Sequence, residues 1–391
     1  MPRLVQTLGA CLLILTFLVP MGGYALGLFA GVSTTENRAL AAWPQWGETA
    51  DGGSGDALDP AQRYTEGINA HLSDRFGARM PLIRFARKIR DNLGEDAPLV
   101  VRGKGDWLFL GRESLRDEFE GQGPWTDADV DRWVEDILAA KAVFDARGIP
   151  FALSIAPDKA RIMPEFLPDD WREGERRFRT RLLSDPRLAG IAYDAEPELL
   201  RRKAAGEDVY YLRDTHWSYS GGQPFVDGYL DLVDPQRTRP RYTPGPPERG
   251  SRDMLHDLEA LLGETESSEP PALTIPKPRL LDYSVERFDE DGDGQWDRNQ
   301  FHTKIMTYDN PDKATGTLVI VGDSFPDFVM PLFLPAFERV VKIHHGAERY
   351  DVGTDEILSY DPDVVLFLMV ERDAFRKARP LVVGPTTSEA G

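Results

Sequence analysis

The chain has 391 residues, with 46 Lys and Arg against 65 Asp and Glu, for a net charge of −19. A hydrophobic fraction of 41% is enough for a sizeable core and excludes collagen-like or wholly disordered chains. The charge argues against nucleic acid as a partner, because the one basic stretch, 84–90, is too short for a phosphate-binding stripe. The single cysteine, Cys11, excludes an intrachain disulfide or a Cys-based metal site.

No charged residue stands between Leu4 and Thr35, and 8–32 is almost wholly apolar. As a helix that segment measures about 37 Å, enough to cross a bilayer, and Arg3 before it favours an N-inside orientation. A cleaved signal peptide is the alternative, with its apolar region at 8–19, a breaker at Pro20-Met21-Gly22-Gly23 and cleavage after Ala25. Either reading of residues 1–35 exports the rest of the chain. Residues 36–70 read as a tether, rich in Gly, Pro and acids over 41–62, and a basic amphipathic helix is expected around 80–93.

Gly103-Lys104-Gly105-Asp106 predicts a turn into a buried strand at Trp107-Leu108-Phe109-Leu110. Thr126 with Asp129 three residues on predicts a helix start. Val130, Trp133, Val134, Ile137, Leu138 and Phe144 form its apolar stripe, and Gly148 marks its end. Short apolar runs without alternation at 151–155, 317–321, 340–343 and 364–369 predict strands covered on both faces, the third interrupted by Lys342. The fold class is therefore α/β, an open, mostly parallel sheet sandwiched by helices. One domain is expected over 71–380, with a proline-rich excursion at 236–300 and a tail at 381–391.

Gly322-Asp323-Ser324-Phe325 follows one of these strands and precedes an expected helix at 327–337. Ser324 thus falls at the carboxyl edge of the sheet, where open α/β folds place ligands. Backbone N–H groups of the following helix start could hold an oxyanion there. A serine that merely caps the helix is the bland alternative. Tyr210 to Trp217 reads as a strand-like run ending in Asp214-Thr215-His216. An aspartate two residues before a histidine can reach its Nδ1 and leave the other ring nitrogen to take a serine proton. A satisfied, partly buried histidine is the alternative. Together the two segments supply the parts of a nucleophilic triad, Ser324, His216 and Asp214. The absence of Gly-x-Ser-x-Gly at Ser324 disfavours the α/β-hydrolase fold.

Asp214-Thr215-His216-Trp217 followed by Gly322-Asp323-Ser324-Phe325 resembles the alginate O-acetyltransferase family of periplasmic, SGNH-hydrolase-like proteins, the AlgJ/AlgX type. Glu36-Asn37-Arg38, Arg75-Phe76 with Arg79, the turn at Gly103-Lys104, Pro157-Asp158-Lys159, Pro164-Glu165 with Leu167-Pro168, and Glu371-Arg372 are similar too. The resemblance implies an SGNH-like fold in which Asp214-x-His216 precedes Ser324, behind the N-terminal membrane helix or signal peptide read above. It also implies Ser324 as nucleophile, His216 as base and Asp214 as its partner. The implied activity is O-acetylation of an exported polysaccharide through an acetyl-serine. Acetyl would be supplied by a membrane-bound O-acyltransferase, and the catalytic domain would lie in the periplasm, at the inner membrane. An acetylesterase using the same triad, or a non-catalytic polysaccharide-binding or assembly factor, are the rival readings.

Lys159, Trp217 and Arg372 are candidate substrate-binding residues, each with an ordinary packing or ion-pair role as its alternative. No cofactor is required. Asp289, Asp291 and Asp293 with Gly294 and Asp297 space carboxylates as a calcium loop does, although Gln300 stands where the bidentate glutamate is expected. A structural Ca²⁺ or a solvated acidic turn are the two readings. Surface exposure is expected of His344 and His345. His71, His256 and His302 have no carboxylate or histidine partner at ligand spacing.

Overall fold

The structure is a computed structural model. It describes residues 99–111, 113–250, 256–262, 264, 267–276, 285–288, 305–309, 316–345, 350–377 and 379–388, with 32–33, 38–39 and 68. The expected anchor, tether, basic helix and calcium-loop aspartates (Asp289, Asp291, Asp293, Asp297) lie outside the described residues, apart from a short antiparallel pairing of Val32–Ser33 with Arg38–Ala39. Among the described residues no helix is long and apolar enough to cross a membrane. The chain divides into two units, residues 1–96 with 289–301, and residues 97–288 with 302–391.

The second unit is built on a six-stranded sheet. Its strands are β1 (Phe151–Ala156), β2 (Val285–Phe288), β3 (Ile305–Asp309), β4 (Thr317–Gly322), β5 (Arg339–His344) and β6 (Val364–Val370). The spatial order is β1-β6-β4-β5-β3-β2. The first four are parallel neighbours, and they are the four strands expected from the sequence. Strands β3 and β2 extend the sheet antiparallel. The apolar runs lack alternation because both faces are covered. Leu318, Ile320, Leu366 and Leu368 join Trp217, Phe225, Tyr229 and Phe333 on one side. Val319, Val321, Val365 and Phe367 join Val130, Trp133, Ile137 and Phe144 on the other. Successive side chains on a strand point to opposite faces, so a strand between two helical layers must be apolar throughout.

Helix α1 (Asp127–Asp145) supplies the second layer. Thr126 Oγ1 accepts the Asp129 N–H at 3.3 Å and Asp129 Oδ2 accepts the Thr126 N–H at 2.8 Å, a reciprocal cap that satisfies two otherwise orphaned donors. Gly148, at φ +69°, turns the chain out of the helix into β1. Helix α2 (Tyr219–Val233), capped by Ser218, supplies the first layer and anchors to the sheet through Tyr229 Oη, which donates to the Val365 carbonyl at 3.0 Å.

Two local expectations change. Residues 210–217 form a loop closed by a Tyr210–Trp217 bridge instead of a strand, because both ends fold back on each other. The expected helix at 327–337 is two short pieces, a 3-10 turn at Phe325–Phe328 and a single turn at Met330–Phe333. Pro326, Pro331 and Pro335 remove backbone donors and clash with the preceding turn. The run at 107–110 does form a strand, Leu108–Leu110, but it pairs with Val100–Arg102 outside the central sheet.

Candidate active site

Parallel strands align their carboxyl ends, so β4, β6 and β1 deliver three loop starts to one edge: Asp323-Ser324, Glu371-Arg372 and Pro157-Asp158. The Ser324 turn is pinned by the aspartate before it. Asp323 Oδ1 accepts the Phe325 N–H at 2.8 Å and Oδ2 accepts the Val370 N–H at 2.7 Å, which ties the turn to the end of β6. Burial pushes the Asp323 carboxyl up to about 6, with Asp373 adding to the effect. The sequence reading passed over this role, although an Asp bonding two residues ahead is the ordinary signature of such a turn.

The loop at 210–217 brings His216 over that edge. Its Nε2 lies 2.7 Å from Ser324 Oγ and its Nδ1 lies 2.6 Å from Asp214 Oδ1. A proton on Nδ1, facing the carboxylate, leaves Nε2 as the acceptor for the serine hydroxyl. Asp214 Oδ1 also accepts the His216 N–H at 3.0 Å, so residue and partner are fixed within one turn of chain. The imidazole stacks on Phe328, with centroids 4.5 Å apart, and tilts against Phe325 at 5.0 Å. Asp214 is buried, His216 nearly so, and Ser324 partly exposed. The structure thus brings the three sequence-predicted residues together, with hydroxyl, imidazole and carboxylate at hydrogen-bonding distances.

The oxyanion expectation does not survive as stated. The Phe325 N–H is taken by Asp323, and the segment behind Ser324 is a four-residue 3-10 turn, too short to carry a helix dipole.

Lys159 lines the cleft beside the site but is held by backbone carbonyls. Its ammonium is buried and donates to the carbonyls of Leu108 (2.6 Å), Leu212 (2.9 Å) and Asp214 (3.0 Å), tying the His216 loop to the strand at 108–110. Burial pushes its pKa down to about 7, opposed by Glu269, Asp214 and Asp257. Trp217 is fully buried, with Nε1 donating to the Phe325 carbonyl at 3.2 Å, and is a core residue, not a stacking platform. Arg372 is buried against Asp158 and lies over the Phe325 ring. A cleft with ≈ 450 Å³ of free space runs beside the triad, lined by Phe109, Phe119, Trp171, Asp158, Arg372 and Thr215 among others. Ser324 is not among its lining residues.

The proline-rich excursion proves to be part of the site. His256 Nδ1 lies 3.2 Å from Asp214 Oδ2 and 3.4 Å from Glu269 Oε2, so this histidine does have carboxylate partners. Asp257 accepts the Thr215 N–H at 2.8 Å and the Thr215 hydroxyl, and its Oδ2 is 3.7 Å from His216 Nδ1. Burial, reinforced by Asp214, raises the Asp257 pKa. Glu269 accepts the N–H groups of Leu212 (2.8 Å) and Arg213 (2.7 Å). No spacing in the sequence announces the contacts to Asp214 and its loop, because they span some 40 to 60 residues. Asp214, His216 and Asp257 offer ligand atoms within 4.8 Å of one another. Both Asp257 oxygens and both Asp214 oxygens already accept hydrogen bonds from the protein, so we assign no metal there. His345, expected at the surface, is fully buried beside Phe367, and burial depresses its pKa well below the ordinary value.

Residues 100–224 match the family described as SGNH hydrolase-like domain, acetyltransferase AlgX. The chain is 24% identical over 221 residues to a protein named probable alginate O-acetylase AlgJ from Pseudomonas fluorescens, covering 54% of this chain and 48% of that one. It is 32% identical over 136 residues to the Pseudomonas aeruginosa protein of the same name, covering 33% and 32% respectively. The chain thus spans about half the length, or less, of these curated relatives. Among solved structures, Bacillus cereus PatB1 is similar at TM-score 0.46 and 11% identity, over 71% of this chain and 97% of that one. The O-acetyltransferase domain of Pseudomonas putida AlgJ is similar at TM-score 0.41 and 20% identity, over 71% and 92%. The matched segment runs from the strand at 100–102 through the Asp214-x-His216 loop into α2, and over it the chain is similar to the SGNH hydrolase-like acetyltransferase domain of the AlgX type.

Proposed function

We propose that the chain is an O-acetyltransferase of the cell envelope that acetylates an exported polysaccharide through an acetyl-Ser324 intermediate. The observation that carries this reading is the continuous run Asp214–His216–Ser324, at 2.6 and 2.7 Å, at the carboxyl edge of a parallel sheet. In the first step His216 Nε2 takes the Ser324 hydroxyl proton while Oγ attacks the acetyl carbonyl. The proton then passes from His216 to the departing donor group. In the second step a sugar hydroxyl gives its proton to His216 and attacks the acetyl carbon. Ser324 leaves and regains its proton from the imidazolium. Asp214 stays ionised and stabilises the imidazolium in both steps.

The names of the curated relatives support alginate or a related exopolysaccharide as acceptor. A membrane-bound O-acyltransferase is the proposed acetyl source. The apolar N-terminal segment supports export, with the catalytic unit in the periplasm, attached to the inner membrane or released from it.

The test is mass spectrometry of the full-length chain after incubation with p-nitrophenyl acetate, with and without oligosaccharide acceptors, alongside Ser324→Ala and His216→Ala. Acetyl appearing on the oligosaccharide only when both residues are intact is the expected result. Ser324-dependent acetate release that ignores added sugar would instead make the chain an esterase. Acetyl transfer undiminished in Ser324→Ala would overturn the reading.

A further inference from the structure

The Asp214 carboxylate is held by two imidazoles, and only one of them touches Ser324. His216 takes Oδ1 at 2.6 Å, and His256 Nδ1 lies 3.2 Å from Oδ2. His256 arrives from the proline-rich excursion, 42 residues along the chain from Asp214, with its side chain 2% exposed. The groups facing it are mostly acidic. Glu269 Oε2 is 3.4 Å from the same Nδ1, Asp257 follows it in the chain, and Glu259 Oε2 accepts its backbone N–H at 3.4 Å. Tyr211 lies against its ring at 5.4 Å, and the cations nearby are Lys159, bonded to the Asp214 carbonyl at 3.0 Å, and Arg213, whose Nε is 3.8 Å from Glu259 Oε1.

A buried imidazole set between two carboxylates is a poor filler of space, since its ring nitrogens must be satisfied at that depth. What this arrangement supplies is a second directional donor on the carboxylate that orients the base. The Asp257 N–H reaches the same Asp214 oxygen from farther away, at 3.4 Å.

We propose that His256 is a positioning residue for acyl transfer: its Nδ1–H, donated to Asp214 Oδ2, keeps the carboxylate in the plane His216 requires and draws off part of its charge. The proposal rests on the triad reading above. Two consequences separate it from a purely structural role. First, His256 touches no reacting atom, so its loss lowers kcat and leaves KM unchanged. Second, an Asp214 freed of this donor binds the His216 imidazolium more strongly. The pKa of the base then rises, and the acid limb of the rate profile moves to higher pH.

The experiment uses the full-length chain and p-nitrophenyl acetate, with kcat and KM followed from about pH 5 to about pH 9 for wild type, His256→Leu, His256→Asn and Ser324→Ala. Leucine removes the donor, whereas the asparagine amide can place an N–H where Nδ1 stood. The expected result for His256→Leu is about a tenfold loss in kcat at constant KM, with the acid limb displaced upward by about one pH unit, the shift that a tenfold change in the imidazolium constant produces. His256→Asn should restore most of both. A His256→Leu profile superposing on wild type, or an asparagine variant no better than the leucine one at equal Tm, would overturn the proposal. If the leucine variant does not fold, the asparagine variant decides alone: its acid limb must coincide with that of wild type, and a displaced limb counts against the proposal. Ser324→Ala separates the two levels. If it reacts as wild type does, the triad reading fails and this inference falls with it. If it is inert while His256→Leu behaves as wild type, only this inference fails.

Discussion

Arg372 and Asp158 meet across the carboxyl ends of β6 and β1, with Nη1 3.0 Å from Oδ1, directly behind the Ser324 turn. The guanidinium also lies over the ring of Phe325, at 5.0 Å from its centroid. One ion pair therefore ties together the three loop starts that form the edge of the site. Arg372 also lines the cleft beside the site, with its cation engaged by Asp158.

Breaking this pair from one side leaves a buried charge without a partner. Arg372→Ala is expected to cost about 3–5 kcal/mol of stability, because burial already pushes the Asp158 carboxyl up to about 6 even with the guanidinium beside it. The double variant Asp158→Asn/Arg372→Ala should recover part of that loss. Urea denaturation of the two variants checks the order, and equal losses in both would show that the charge is not what matters.

Glu118 predicts a pH dependence. It is buried, accepts N–H groups from Phe178 (2.8 Å) and Trp125 (2.6 Å), and is pushed up from 4.5 to about 7, chiefly by burial. The native state then holds this proton more tightly than the unfolded chain. The stability it contributes is full below pH 4.5 and is lost as pH rises through about 7. Wild type should therefore melt at a higher temperature at about pH 5 than at about pH 8, and Glu118→Gln should narrow that gap. Glutamine should also lower Tm overall, since its amide nitrogen cannot accept from Trp125 or Phe178. An undiminished pH slope in the variant would assign the dependence to other groups, such as Asp158 and Asp323.

Gly322 is the last residue of β4, and the constraint on it is steric. A Cβ there would lie 1.9 Å from the Leu368 carbonyl oxygen of β6 and 2.8 Å from Pro326. Gly322→Ala should therefore push the strands apart, costing about 1–3 kcal/mol and shifting Ser324 from His216. Loss of labelling at Ser324 larger than the loss of Tm explains is the signature to look for.

Within the proposed reaction, Asp214→Asn tests the orientation of the base. An amide in place of the carboxylate favours the wrong imidazole tautomer, and a fall in acylation of about 10⁴-fold is expected, as for the corresponding change in a serine protease triad. Acylation kinetics with p-nitrophenyl acetate measure it. A fall below tenfold would indicate that Asp257, 3.7 Å from His216 Nδ1, can take over.

Thr126→Ala removes the reciprocal cap of α1 and should cost about 1 kcal/mol, read as a shift in Tm with no change in the acylation rate per folded molecule.

What the sequence determined by itself was mostly local. Apolar runs at 151–155, 317–321, 340–343 and 364–369 announced four strands, because a doubly covered strand must be apolar at every position. Thr126 with Asp129 announced the start of α1, because that pair satisfies donors three residues apart. Asp214-x-His216 was legible for the same reason, since carboxylate and imidazole meet within one turn of chain. The pairing of that turn with Ser324, 108 residues away, could only be assembled as a hypothesis from two separate strand-edge motifs. Tertiary structure alone decided the rest. It assigned Lys159 to three carbonyls and Trp217 to the core, because a long polar or aromatic side chain reads the same whether it faces a ligand or a neighbouring loop. It broke the helix expected after Ser324 into short turns. It also brought His256, Asp257 and Glu269 from a proline-rich stretch without periodicity onto Asp214 and its loop. Hydrogen bonds of that kind depend on where the folded backbone carries each atom, and no spacing along the chain records them.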